Sequence, residues 1–144
     1  TLNYKNWSLT AFFQGVLGNK ILNATKAHYS FQGHIAGGKN VLAEVVNDKK
    51  WQADANAHIP SDKYIENGSY LRLSTLTLGY TFTNLADWAK SVQLYATCNN
   101  VFTITKYSGI DPEVNLGGLD PGIDYRQSNY PHTRTFIIGA KINF

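Results

Sequence analysis

The closing stretch of the chain, RTFIIGAKINF over Arg134–Phe144, alternates apolar and polar side chains up to its final position. Phe136, Ile138, Ala140, Ile142 and Phe144 fall on one face of an extended chain, and Thr135, Ile137, Gly139, Lys141 and Asn143 on the other. Successive side chains of a strand point to opposite faces, so a period of two specifies a strand with one greasy face and one mostly wet one. Such a strand either covers a soluble core or lines a barrel whose outside is lipid. The aromatic end is unusual for a soluble domain, whose last residues fray and tend to be polar.

Three further segments alternate in the same way, giving strands at about 2–16, 70–83, 91–105 and 134–144. In the first, Trp7, Leu9, Ala11 and Phe13 oppose Asn6, Ser8, Thr10 and Gln14, with Phe12 as the exception. In the second, Leu76, Leu78, Tyr80 and Phe82 oppose Thr75, Thr77, Gly79 and Thr81, while Leu71 and Leu73 upstream are in the opposite phase. A slip of one residue predicts a bulge near Ser74. In the third, Val92, Leu94, Ala96 and Cys98 oppose Gln93, Tyr95, Thr97 and Asn99.

The connections are long, short, long: residues 17–69, 84–90 and 106–133. Structureless loops of that length are rare in compact soluble domains. Outer-membrane barrels alternate short periplasmic turns with long extracellular loops, which makes 84–90 the periplasmic turn and the other two extracellular. About 11 residues rising ~3.3 Å each at ~45° climb about 25 Å, the height of the apolar band. Within the first loop, VLAEVVNDKKW over Val41–Trp51 has the spacing of a short amphipathic helix that Asn40 would cap.

Composition agrees without deciding. Charged residues are 16% of the 144, below the usual quarter, and aromatics are 13%. That suits a barrel with aromatic girdles, and equally a carbohydrate-binding sandwich. Lys and Arg are scattered and the net charge is only +3, so there is no nucleic-acid footprint. Cys98 is the single cysteine, which excludes an internal disulfide framework. No apolar run is long enough for a transmembrane helix. The chain has no Met and begins inside a strand-like stretch, so it is expected to be a piece of something longer.

Read in order, SYLRLSTLTLGYTF, NNVFTITKYSGIDPEV and GIDYRQSNYPHTRTFIIGAKINF resemble the C-terminal part of the SusC/RagA-type, TonB-linked outer-membrane transporters of Bacteroidetes-like bacteria. The clear resemblance covers about Ser69 to Phe144, and KYSGIDPEV carries most of it. It implies an all-β fold: the last four antiparallel strands of a transmembrane barrel of about 22 strands. Phe144 would then be the aromatic signal read during barrel assembly. The implied function is import of glycans, or of peptides, with a SusD-like surface lipoprotein as lid and TonB as energy source. The plug and the TonB contact would lie outside these residues, and the implied partners are the rest of the barrel, the plug, the lid, TonB and outer-membrane lipid.

On this reading Leu9, Phe13, Leu78, Tyr80, Leu94, Phe136, Ile138 and Ile142 face lipid, and Thr10, Gln14, Thr77, Thr81, Gln93, Thr97, Lys141 and Asn143 face the lumen. Trp51, Tyr107, Tyr125 and Tyr130 in the long loops offer rings for stacking on sugar, with Arg126 as a donor; for any single one of them the plainer role is loop packing or contact with a partner lid protein. Asp111, Glu113, Asp120 and Asp124 are weak candidates for calcium, since Asp-Pro steps fold turns without any ion. The four histidines lack metal-ligand spacing, no cofactor motif is present, and no nucleophile is tied to a base, so an enzyme is not expected. Two other readings stay open: a soluble carbohydrate-binding or adhesive β-sandwich, and a passive porin or surface receptor.

Overall fold

The computed structural model of the chain describes residues 1–31, 33–47, 61–86, 88–114, 122–125 and 130–144. The chain divides into two compact units. A sheet unit comprises Thr1–Val16, Tyr70–Ile104 and His132–Phe144, and a loop unit comprises Leu17–Ser69 and Thr105–Pro131. The long connections therefore build structure of their own. No helix among the described residues is long and apolar enough to cross a membrane.

The sheet unit is formed by β1 (Leu2–Tyr4), β2 (Trp7–Val16), β5 (Tyr70–Ala86), β6 (Ala89–Thr105) and β7 (Thr135–Asn143). Among the described residues these make one five-stranded sheet in the order β1-β2-β5-β6-β7. The expected single strand over 2–16 is broken by a turn at Lys5–Asn6, after which β1 runs back antiparallel on β2 with Leu2 opposite Leu9. Lys5 takes the left-handed conformation at φ 51°. Glycine, asparagine and aspartate are the usual signs of such a turn, so a lysine there leaves no compositional mark. β5 and β6 run farther than expected, ending at Ala86 and resuming at Ala89, so the short turn is tighter than 84–90.

The bulge falls where the phase slip puts it. Phe12 pairs with Thr75 and Phe13 with Leu73, leaving Ser74 as the extra residue of β5. This restores Leu71 and Leu73 to the same face as Leu76, Leu78, Tyr80 and Phe82, because one inserted residue flips the alternation once.

The loop unit contains β3 (Lys20–Leu22), α1 (Ala24–Tyr29), α2 (Gly33–Ala36), α3 (Ala43–Asn47), a 3-10 turn (Asp62–Tyr64) and β4 (Ile65–Asn67). β3 and β4 pair as a small antiparallel ribbon, with Ile21 opposite Glu66. Asn23 starts α1: its side-chain oxygen accepts the Lys26 amide at 2.8 Å, satisfying a donor the first turn leaves open. At the other end the Ser30 hydroxyl donates to the Lys26 carbonyl at 2.7 Å. The helix expected near Val41–Trp51 begins at Ala43, so Leu42 rather than Asn40 stands at its N-terminal boundary. Ile21, Tyr107 and Val114 pack together as the unit's core.

Candidate functional site

Two surfaces carry the function-bearing chemistry, one in each unit. In the sheet unit, register sorts the side chains. Leu9 opposite Leu78, Phe13 opposite Leu73, Leu94 opposite Ala140, Ala96 opposite Ile138 and Val92 opposite Ile142 lie on one face. Leu94, Phe136, Ile138 and Ile142 are exposed there, Ile138 at 86%. A continuous apolar face left open marks contact with lipid or with another apolar surface.

The opposite face is a polar ladder. The Thr77 and Thr97 hydroxyls stand 2.8 Å apart, and the Thr75 hydroxyl donates to the Asn99 side-chain oxygen at 3.2 Å. Gln93 donates to the Ser8 hydroxyl at 3.4 Å, reaching across Gly79, where any Cβ would stand against Ser8. Asn143 donates to the Ser91 hydroxyl at 2.9 Å. Arg72, only 2% exposed, sits opposite Gln14, donates from Nε to the Thr103 hydroxyl at 2.9 Å and has Nη1 2.8 Å from the His132 Nδ1. Phe12 and Ile137 are apolar exceptions on this face, opposite Thr75 and Thr97.

Aromatic rings gather at the end of the sheet where β5 passes to β6. Trp7 packs edge-on against Tyr80 at 4.8 Å, Tyr80 against Phe82 at 4.7 Å, and Trp88 lies 6.0 Å from Phe144. Tyr and Trp favour the boundary between apolar and wet surroundings, since each has a greasy body and a polar tip.

In the loop unit a polar cluster ties together segments far apart in sequence. Glu66 of β4 accepts the Ser108 amide at 2.8 Å and hydroxyl at 2.7 Å, and the Asn23 side-chain amide at 3.3 Å; Lys26 lies 3.6 Å away. Burial raises the carboxyl's pKa, but the Ser108 hydrogen bonds, with Lys26 and Asn23, outweigh it and hold Glu66 below the usual carboxylate range. The Tyr107 hydroxyl donates to Asp124, and burial together with that carboxylate pushes the phenol's pKa up. Beside this cluster lies a cavity of about 540 Å³, walled by Tyr29, Leu42 and Ile110 among apolar groups and by Lys26, Glu44 and Ser108 among polar ones.

The expected site residues separate accordingly. Tyr107 is buried in the core with Ile21 and Val114, and its hydroxyl donates to Asp124. Asp124 in turn is buried beneath that hydrogen bond, and Asp111 accepts the Glu113 amide at 2.9 Å, which is the turn-forming role open to these acids. Tyr125 and Tyr130 are exposed, Tyr130 at 85%. Trp51, Arg126 and Asp120 lie outside the described residues. Phe144 is exposed beside Trp88. Sequence reasoning did not reach Glu66, Lys26, Asn23 or Ser108 as a cluster; the signals present were a capping Asn23 and the Ser108 of KYSG, neither of which points to its distant partner.

No protein-family profile matches the chain. Among curated proteins, TonB-dependent receptor P3 of Formosa agariphila is 31% identical over 163 aligned residues, covering 99% of this chain and 15% of that protein. TonB-dependent receptor SusC of Bacteroides thetaiotaomicron is 34% identical over 152, covering 99% of this chain and 14% of its own length. A solved structure of the RagAB peptide importer in its closed-closed state superposes with a TM-score of 0.76 at 22% identity, over 98% of this chain and 16% of that one. The chain thus spans about one-seventh of the relatives it matches, and its strands follow the fold of that solved transporter. These relatives are named receptors and transporters, not enzymes.

Proposed function

The chain belongs to the SusC/RagA-type TonB-dependent receptors, and from that premise we propose that it forms part of the wall and surface loops of an outer-membrane nutrient importer. The observation that carries the reading is the sheet's division into an open apolar face and a polar ladder. A wall between lipid and a wet lumen needs both, with every backbone group paired sideways to a neighbouring strand. β1 and β7 are the outer strands of the sheet, and further strands of the parent barrel would pair with them. A soluble sandwich would instead bury the face that holds Ile138.

The loop unit lies on the extracellular side and the β5–β6 turn on the periplasmic side. The cargo is a glycan or a peptide, a SusD-like lipoprotein closes over the barrel, and TonB supplies energy through a contact outside this segment. Tyr125 and Tyr130 are the exposed rings that cargo or lid would meet. The test is uptake by intact cells producing the whole receptor. Import should require the receptor and should stop in cells lacking TonB; uptake unaffected by TonB loss would make it a passive porin.

A further inference from the structure

The cavity in the loop unit has a chemistry of its own. Its volume of about 540 Å³ falls within the ~300–1,000 Å³ usual for small-ligand sites. Its polar lining is mostly engaged within the unit. The Asn23 amide donates to Glu66 and to the Ser108 hydroxyl, the Ser108 hydroxyl donates to Glu66, the Thr25 hydroxyl donates to the Asp124 carbonyl at 3.3 Å, and the Asp124 carboxylate accepts Tyr107. What faces the space is largely apolar: Tyr29, Leu42, Ala43 and Ile110, the last 67% exposed. Two charges of opposite sign line it as well, the partly exposed Lys26 and the exposed Glu44 in the first turn of α3.

We propose that this cavity is a subsite for peptide cargo, taking an apolar side chain of an extended segment. The inference rests on the import reading and narrows its cargo. A sugar brings many hydroxyls, and burying them without partners is unfavourable. An apolar side chain needs none, and its burial is favourable in proportion to the area covered. Lys26 keeps donors for a peptide carbonyl or terminal carboxylate, and Glu44 offers an acceptor for a peptide N–H or terminal amine.

The experiment uses the full-length receptor in detergent, titrated with the pentapeptide Ser-Gly-Leu-Gly-Ser and with its counterpart carrying Ser at the centre. The Leu peptide should bind at least roughly tenfold more tightly. Ala43→Phe, which fills the space, and Ile110→Asp, which charges its wall, should each erase that difference. Either variant serves alone if the other fails to yield a heat-modifiable barrel. Equal binding of the two peptides, or a preference that survives both variants, overturns the proposal. So does competitive displacement of the Leu peptide by a neutral hexasaccharide in the unaltered receptor but not in Ala43→Phe. Failure of the import reading reads differently: the Leu preference and its loss in the variants persist, while no TonB-dependent uptake is found in cells.

Discussion

Ile21 and Val45 are fully shut away from solvent, whereas Ile138 and Phe136, no less apolar, are among the most exposed side chains of the chain. The first pair belongs to the loop unit and the second to the sheet unit. The difference lies in what each unit uses as its solvent. The loop unit behaves as a small water-soluble fold: it closes a core around Ile21, Tyr107 and Val114 and gives the carboxylates of Asp124 and Glu66 hydrogen-bond donors. The sheet unit turns the same residue types outward, which is stable only where the surroundings are themselves apolar.

The largest expected effect breaks the comparison on the sheet side. Ile138→Arg or Leu94→Arg, near mid-strand on the open face, should cost on the order of 2–4 kcal/mol and lower the yield of heat-modifiable full-length barrel in outer membranes. Thr97→Arg, on the polar ladder, should leave the yield near normal. Equal loss from both faces would remove the distinction between them.

On the loop side, Tyr107→Phe deletes the donor to Asp124 and leaves a buried carboxylate short of a partner, costing about 1–3 kcal/mol. The loss should appear as faster amide hydrogen exchange across β3 and α1 with the sheet's protection unchanged. Exchange rising equally in both units would mean that they do not act as separate cooperative bodies.

A third test uses pH. The Glu66 carboxyl is held below its ordinary value, so its contribution to the loop unit is present above about pH 4.5 and is lost as pH falls through the lowered folded value. Acid should loosen the loop unit in that window, read by the same exchange experiment at a series of pH values. Glu66→Gln should flatten that slope. The smallest effect is expected from Thr77→Val, which removes one rung of the polar ladder for roughly 0.5–1.5 kcal/mol.

The contrast between the units also separates what was legible in the sequence from what was not. Strand faces are local: a period of two sorted Leu94 from Thr97, and the phase slip located the Ser74 bulge, because each signal is carried by neighbours in the chain. The Lys5–Asn6 turn escaped since its left-handed position is held by Lys5, a residue type that does not mark one. The loop unit escaped for a different reason. Asn23 meets Glu66 and Ser108, which are 43 and 85 residues away, and no spacing rule links them. Tyr107 stands in a stretch that by sequence serves either ring stacking or loop packing; it packs in a core with nearby Val114 and the distant Ile21, a contact that no local pattern announces. Asp124 followed it, as the acceptor that makes a buried phenol tolerable.

The central claim is that one face of this sheet meets lipid and the other a wet lumen. The most direct measurement places nitroxide labels one at a time at positions 136–142 of the full-length receptor in lipid vesicles and compares collision with dissolved oxygen against a water-soluble nickel complex. Labels at 136, 138, 140 and 142 should favour oxygen, and those at 137, 139 and 141 the nickel complex, alternating with a period of two. Uniform access to the nickel complex along the whole strand, or a preference for oxygen at 141 over 138, would contradict the assignment of the two faces.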